Sequence, residues 1–221
     1  MAGAFWCVVE DDGQGRSKKV TAELLGEARR WAGELGAAVE AVWLTGRAED
    51  EGLRELAAWG ADRIWLWEDG AFAPYRGEVW VPPVVALAGQ ESPRAIWGAV
   101  TSRHRELMAR LAARLGTGLA ADCVGFALAD GRLVATRPVY AGKLLSQVRW
   151  KGAPWVATLR PNVFKAAEPV AGRAPSVMRP PLAAGAAATA FVERREEAQT
   201  GLPELTEAEI VLSGGRGMKG P

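Results

Sequence analysis

Through its first 125 residues the chain alternates short, continuous apolar runs with longer stretches in which apolar residues recur every three or four positions. The runs predict buried strands over residues 5–9, 39–44, 64–67, 95–100 and 119–126. Between the first two, Val20, Leu24, Ala28, Trp31, Ala32 and Leu35 share one helical face, and Gly36 is placed to end that helix in a left-handed conformation. Leu53, Leu56, Ala57 and Gly60 predict a short second helix with Asp50 as its N-cap. Leu107, Met108, Leu111, Ala112 and Leu115 predict a third, capped by Thr101 or Ser102 and ended by Gly116. Residues 75–89 are ambiguous, because Pro82 and Pro83 forbid a helix running through them yet can begin one. Strands and helices at this spacing imply right-handed βαβ crossovers and a largely parallel, Rossmann-like sheet.

The pattern then changes. Asp130-Gly131 is a hairpin turn signal between apolar runs at 126–128 and 133–136. The next two runs, 144–150 and 155–159, follow too closely for intervening helices, so an antiparallel β region is expected as an appendage to the parallel sheet. Four prolines and a glycine interrupt residues 168–181, small residues fill 183–189, and 193–199 is charged with no apolar face. Residues 168–206 therefore read as an excursion and linker. The expected plan is an α/β domain over 1–182, a linker over 183–206, and the opening of a further domain over 207–221. That opening is a strand at 208–212 running into a glycine-rich loop.

Composition narrows the function classes. Twenty-seven basic and 26 acidic residues give a formal charge of +1, so no field favours nucleic acid or an anionic membrane. No apolar run approaches the roughly 20 residues of a membrane helix. The start runs into Glu10, Asp11 and Asp12 without a basic leader, and a cytoplasmic location is the default expectation. Cys7 and Cys123 sit in strand-like runs and read as buried free thiols. The ten tryptophans are scattered without a repeat and read mainly as core.

Motifs for chemistry are sparse. Gly215, Gly217 and Gly220 match G-x-G-x-x-G after the expected strand, where backbone amides can meet a pyrophosphate, but the helix and acidic residue of a full fingerprint lie beyond residue 221. The loop Gly13-Gln14-Gly15-Arg16-Ser17-Lys18 follows the first strand, where ligands of such sheets usually sit. Asp11 and Asp12 beside it would repel a phosphate, and an ordinary connection is the simpler reading. His104 is the single histidine, which excludes a multi-histidine metal site. Its place near a helix start suggests a solvated or capping role. Glu49, Asp50 and Glu51 read as solvated loop acids, and no catalytic residues are assigned.

Three segments carry a family resemblance. The first is Leu202-Pro203-Glu204-Leu205-Thr206, followed by Ile210-Val211-Leu212 and Ser213-Gly214-Gly215-Arg216-Gly217. The second runs from Leu111 to Asp122, and the third is Arg137-Pro138-Val139-Tyr140-Ala141-Gly142-Lys143, with Lys143 where asparagine is usual. Together they resemble the alpha subunit of electron-transfer flavoprotein, with the chain ending at the start of its FAD-binding domain. The resemblance implies an adenine-nucleotide hydrolase-like N-terminal domain that packs against a beta subunit in a heterodimer. It also implies a carrier, not an enzyme, whose FAD takes electrons from acyl-CoA and other dehydrogenases of fatty-acid oxidation and passes them to a quinone reductase or another acceptor. Arg216 would contact FAD, favouring negative charge on the reduced flavin, while Ser213, Gly214, Gly215 and Gly217 shape the turn. This chain would then be mainly structural and would not retain FAD by itself. The alternatives are a stand-alone adenine-nucleotide-binding module using the Gly13–Lys18 loop, and a small-molecule hydrolase.

Overall fold

A computed structural model describes residues 3–181, 185–193, 205, 208 and 210–218. It divides into two units, Met1–Thr189 and Ala190–Pro221.

The first unit is built on a seven-stranded sheet in which every pairing is parallel. β1 (Phe5–Val8), β2 (Val39–Thr45), β3 (Arg63–Glu68) and β4 (Ala95–Ala99) alternate with α1 (Lys19–Leu35), α2 (Asp50–Ala58), α3 (Gly77–Glu91) and α4 (Ser102–Arg114). β1, β2 and β4 are buried throughout, as continuous apolar runs between two helical layers must be. α1 and α2 cover one face, packing Leu24, Ala28, Trp31 and Leu56 into the core. α3 and α4 cover the other with Trp80, Val84, Leu107 and Leu111. Gly36 ends α1 at φ 62°, and Thr101 caps α4 by accepting the His104 amide at 3.1 Å.

Beyond β5 (Leu119–Cys123) the chain forms β6 (Gly125–Ala129), β7 (Arg132–Val139) and β8 (Leu144–Arg149), a separate antiparallel sheet in that order. Asp130 and Gly131 turn the first hairpin with φ of 51° and 70°, the two positive values a two-residue turn demands. β9 (Trp155–Leu159) and β10 (Val177–Met178) then return to the parallel sheet, giving the order β10-β3-β2-β1-β4-β9-β5.

Several expectations are corrected. The expected strand 119–126 is two strands in two sheets. Asp122 breaks it at φ 61°, where the register slips and Arg160 holds the Asp122 carboxylate through two hydrogen bonds of 2.9 and 2.6 Å. β9, expected in the antiparallel region, instead lies parallel between β4 and β5 and is wholly buried. β10 is a strand inside the expected irregular stretch. Asp50 is the first residue of α2 and not its cap. With Glu51 it sits in the first turn, where the helix dipole favours acids, so neither is a loop residue. Pro82 and Pro83 lie inside α3, which begins five residues before them. Each lacks the amide that would reach back four residues, so the carbonyls of Glu78 and Val79 lose their helical donors. Residues 210–212, expected in a strand, have no regular structure and are exposed; Arg216–Met218 form a short 3-10 turn.

Both cysteines are free and buried, and nine of the ten tryptophans lie in the core. Burial pushes both thiols up, Cys123 to about 12, so neither is a ready nucleophile. Among the described residues no helix is long and apolar enough to cross a membrane.

Candidate functional site

In a doubly wound sheet the crevice opens at the carboxyl ends of the strands where the order reverses. Here that point lies between β1 and β4. Glu10 and Asp11 follow β1; Thr101, Arg103 and His104 follow β4. Asp11 Oδ1 accepts from Arg103 at 2.9 Å and Oδ2 from Trp43 Nε1 at 2.9 Å. Glu10 Oε2 accepts from Thr101 Oγ1 at 2.8 Å and lies 3.2 Å from His104 Nε2, while Arg103 Nε stands 3.5 Å from Glu10 Oε1. The Arg103 guanidinium also lies over the Trp80 ring, 5.3 Å from its centroid.

His104 is not solvated; it is fully buried. Its Nδ1 accepts the Ala99 amide at 3.1 Å, which puts the proton of a neutral ring on Nε2, toward Glu10. Burial holds its basicity below the usual histidine value, against the opposing pull of the Glu10 carboxylate. The two carboxylates are thus held by Thr101, Arg103 and Trp43, while among the described residues His104 Nε2 faces Glu10 without a hydrogen bond of its own. The only sequence hint was two acids after one strand and Thr-x-x-His after another, a pattern shared with ordinary capping.

The neighbouring loop is closed in the same manner. Asp11 bridges Ser17, and the Asp12 amide donates to the Arg16 carbonyl at 3.0 Å. The Asp12 carboxylate accepts the Gln14 amide at 2.7 Å and the Arg16 amide at 3.2 Å. With Gly13 and Gly15 at φ 77° and 97°, these amides form the kind of concavity that holds an anion. Its anion is the loop's own Asp12. The Arg16 guanidinium points instead to Glu51 and Glu55 on α2.

In the second unit, Ser213, Gly214, Gly215 and Gly217 are exposed, and the Met218 amide donates to the Gly215 carbonyl at 3.0 Å. A Cβ at Gly215 or Gly217 would meet nothing within 4 Å, so their backbone is open to close approach. At Gly214 it would meet Met218 Sδ at 2.6 Å. Arg216 begins the 3-10 turn.

The small antiparallel sheet is unlike either of these. Its inner side, with Phe126, Leu133, Ala135 and Val148, joins the core, where Trp97 stacks on Phe126 at 4.7 Å. Its far end does not. Tyr140, Leu144 and Leu145 are 76%, 58% and 67% exposed, and among the described residues no strand pairs the outer edge of β8. Tyr140 and Ala141 hold φ near 52° at the turn before β8, a left-handed conformation uncommon for both residue types. Nearby, a groove of about 820 Å³ runs between α1, the end of α2 and the chain after β9, lined by Arg30, Trp59, Phe126 and Phe164 among others. Its cations are already engaged: Arg29 and Arg173 both pair with Asp62, and Lys165 with Glu168. Burial pushes the Asp62 carboxyl up, but Arg29, the Val39 amide and Arg173 together bring it below the usual range. Among the described residues no group of three or more His, Cys, Asp or Glu is placed to hold a metal ion.

Comparison with known proteins gives a consistent match. Residues 6–196 match the family described as Electron transfer flavoprotein domain. The chain is 38% identical over 222 residues to electron transfer flavoprotein subunit alpha of Syntrophomonas wolfei, covering 100% of this chain and 67% of that protein. It is 32% identical over 221 residues to electron transfer flavoprotein subunit alpha of Thermoanaerobacterium thermosaccharolyticum, covering 98% and 66%. It is 32% identical over 215 residues to protein FixB of Clostridium saccharobutylicum, covering 96% and 64%. The chain thus spans about two thirds of the length of these curated relatives.

Proposed function

Because this chain belongs to the electron transfer flavoprotein domain family, we propose that it is the N-terminal, partner-binding part of an alpha subunit. In this reading the whole assembly is a cytoplasmic electron carrier, not a substrate-converting enzyme. It takes electrons from acyl-CoA and other dehydrogenases and delivers them to a quinone reductase or another acceptor. The observation that carries the reading is the contrast within the first unit. The crevice where such sheets bind ligands is filled by Glu10, Asp11, Arg103 and His104, while Tyr140, Leu144 and Leu145 face solvent. Large apolar side chains exposed at the free end of an otherwise well-packed unit favour a protein partner, here a beta subunit.

FAD would supply the redox chemistry when bound. The open backbone at Gly215 and Gly217 fits close approach by such a group, and Ser213, Gly214, Gly215, Arg216 and Gly217 would hold one edge of it. A guanidinium at Arg216 would favour negative charge on that edge. These residues are one fragment of a binding surface, so this chain alone would not retain the cofactor.

Co-expression of the tagged chain with an electron transfer flavoprotein beta subunit tests the reading. A one-to-one complex is expected, weakened at least about tenfold by Leu144→Ser with Leu145→Ser. AMP and ATP are expected to leave the melting temperature of the chain alone unchanged. A rise of several degrees with nucleotide, and no complex, would instead favour the stand-alone nucleotide module.

A further inference from the structure

After β10 the chain runs along the sheet edge as far as Pro181, and residues 185–189 lie at the start of α3. The Ile64 amide donates to the Ser176 carbonyl at 2.8 Å, and Trp67 Nε1 to the Pro181 carbonyl at 3.4 Å. Residues 185–189 then meet the part of α3 that Pro82 and Pro83 alter. The Gly185 amide donates to the Val79 carbonyl at 3.4 Å, the acceptor left without a helical donor by Pro83. A Cβ at 185 would overlap the Glu78 carbonyl oxygen, the one Pro82 leaves free, and would lie 2.9 Å from Pro82 Cγ. Four residues on, the Thr189 amide and hydroxyl both donate to Glu78 Oε1, the amide at 3.2 Å, and Arg76 donates to the Thr189 carbonyl at 3.5 Å.

We propose that residues 185–189 form a releasable clip, seated on the two carbonyls that the Pro82-Pro83 pair strips of helical partners, which fixes where the chain leaves the first unit. The two ends of the contact answer the same defect. The prolines create acceptors at one place on α3, and a glycine is the residue that approaches them closely enough. The clip is releasable because its bonds are few and those at Thr189 are solvent-exposed, whereas the β10 pairing behind it belongs to the sheet. With the clip closed, the last residue it anchors to the first unit is Thr189. With it open, the last such anchor is the Pro181 carbonyl, roughly eight residues earlier, which lengthens the tether to the residues beyond Thr189 by up to about 26 Å. The clip needs neither a cofactor nor a partner subunit, so it stands apart from the electron-carrier reading.

Hydrogen exchange on the full chain, measured by mass spectrometry, tests it. The amides of Gly185 and Thr189, the two that donate within the clip, are expected to be protected in the unaltered chain, less than those of β1 and β4. Gly185→Ala and, separately, the exposed change Thr189→Val should speed their exchange about tenfold while β1 and β4 are unmoved. The diagnostic variant is Pro82→Ala with Pro83→Ala. It returns helical donors to Glu78 and Val79, so the melting temperature should hold or rise while these two amides exchange faster. Exchange of both at the rate of an unstructured peptide in the unaltered chain would overturn the proposal. So would unchanged exchange in the double proline variant.

Discussion

At the carboxyl ends of β1 and β4, two carboxylates, an arginine and a histidine are gathered inward, the carboxylates held by Thr101, Arg103 and Trp43, whereas at the end of β8 two leucines and a tyrosine are turned outward. The first region has the address of a binding site and the contents of a core. The second has the contents of a core and the address of a surface. Carboxylates and a cation already paired with neighbouring side chains leave little to offer a ligand. Exposed apolar groups on a rigid hairpin gain by being covered. The difference teaches that location in the fold and availability for binding are separate questions, and that the second decides function.

The sharpest way to break the comparison is to cut the link between the sheets. Trp97→Ala removes the ring stacked on Phe126 and should cost about 3–5 kcal/mol in urea unfolding. A loss below about 1 kcal/mol would mean that the two sheets are stabilised independently. Next comes the buried histidine. Folded His104 resists protonation while the unfolded chain protonates near pH 6.5, so the unfolded state binds more protons below that value. Stability should therefore fall as pH drops below about 6.5, by at most about 1.4 kcal/mol per unit, and level off above it. Unfolding curves between pH 5.5 and 8 check this, and His104→Gln should flatten them.

A smaller effect is expected in the closed loop. Asp12→Ala frees the amides of Gln14 and Arg16 at a cost of about 1 kcal/mol or less. Nuclear magnetic resonance should show those two amides unmoved by inorganic phosphate in the unaltered chain; movement there would mean the loop is open after all. The smallest change is at the surface. Leu144→Ser should alter stability by less than about 0.5 kcal/mol, since no core contact is lost. A larger loss would place Leu144 in the fold and not in an interface.

Much of this architecture was legible from local pattern. β1 to β4 with α1, α2 and α4 are set by short-range periodicity, and Gly36, Thr101 and Asp130-Gly131 mark helix ends and a turn by their own backbone chemistry. What escaped was set by distant partners. The sequence 155–159 reads as one more hairpin strand, because nothing local says that it inserts between β4 and β5. The break at Asp122 depends on Arg160, and the tolerance of α3 for two prolines depends on the chain near Gly185. His104 does lie in the first turn of α4, but its burial was hidden because Glu10, which shares its site, is far away in sequence. The glycine-rich loop was legible only through family resemblance.

The placement of β9 also carries a consequence in time. β4 and β5 are joined by α4, so both are made early, but in the finished sheet they are one strand apart. The gap is filled only after the chain has passed through β6, β7 and β8 and returned. A growing chain shorter than about 159 residues therefore has two unsatisfied strand edges facing each other across an empty slot. The slow step of folding is expected there, at a long-range insertion that waits for the hairpins, and not at the local crossovers that precede it.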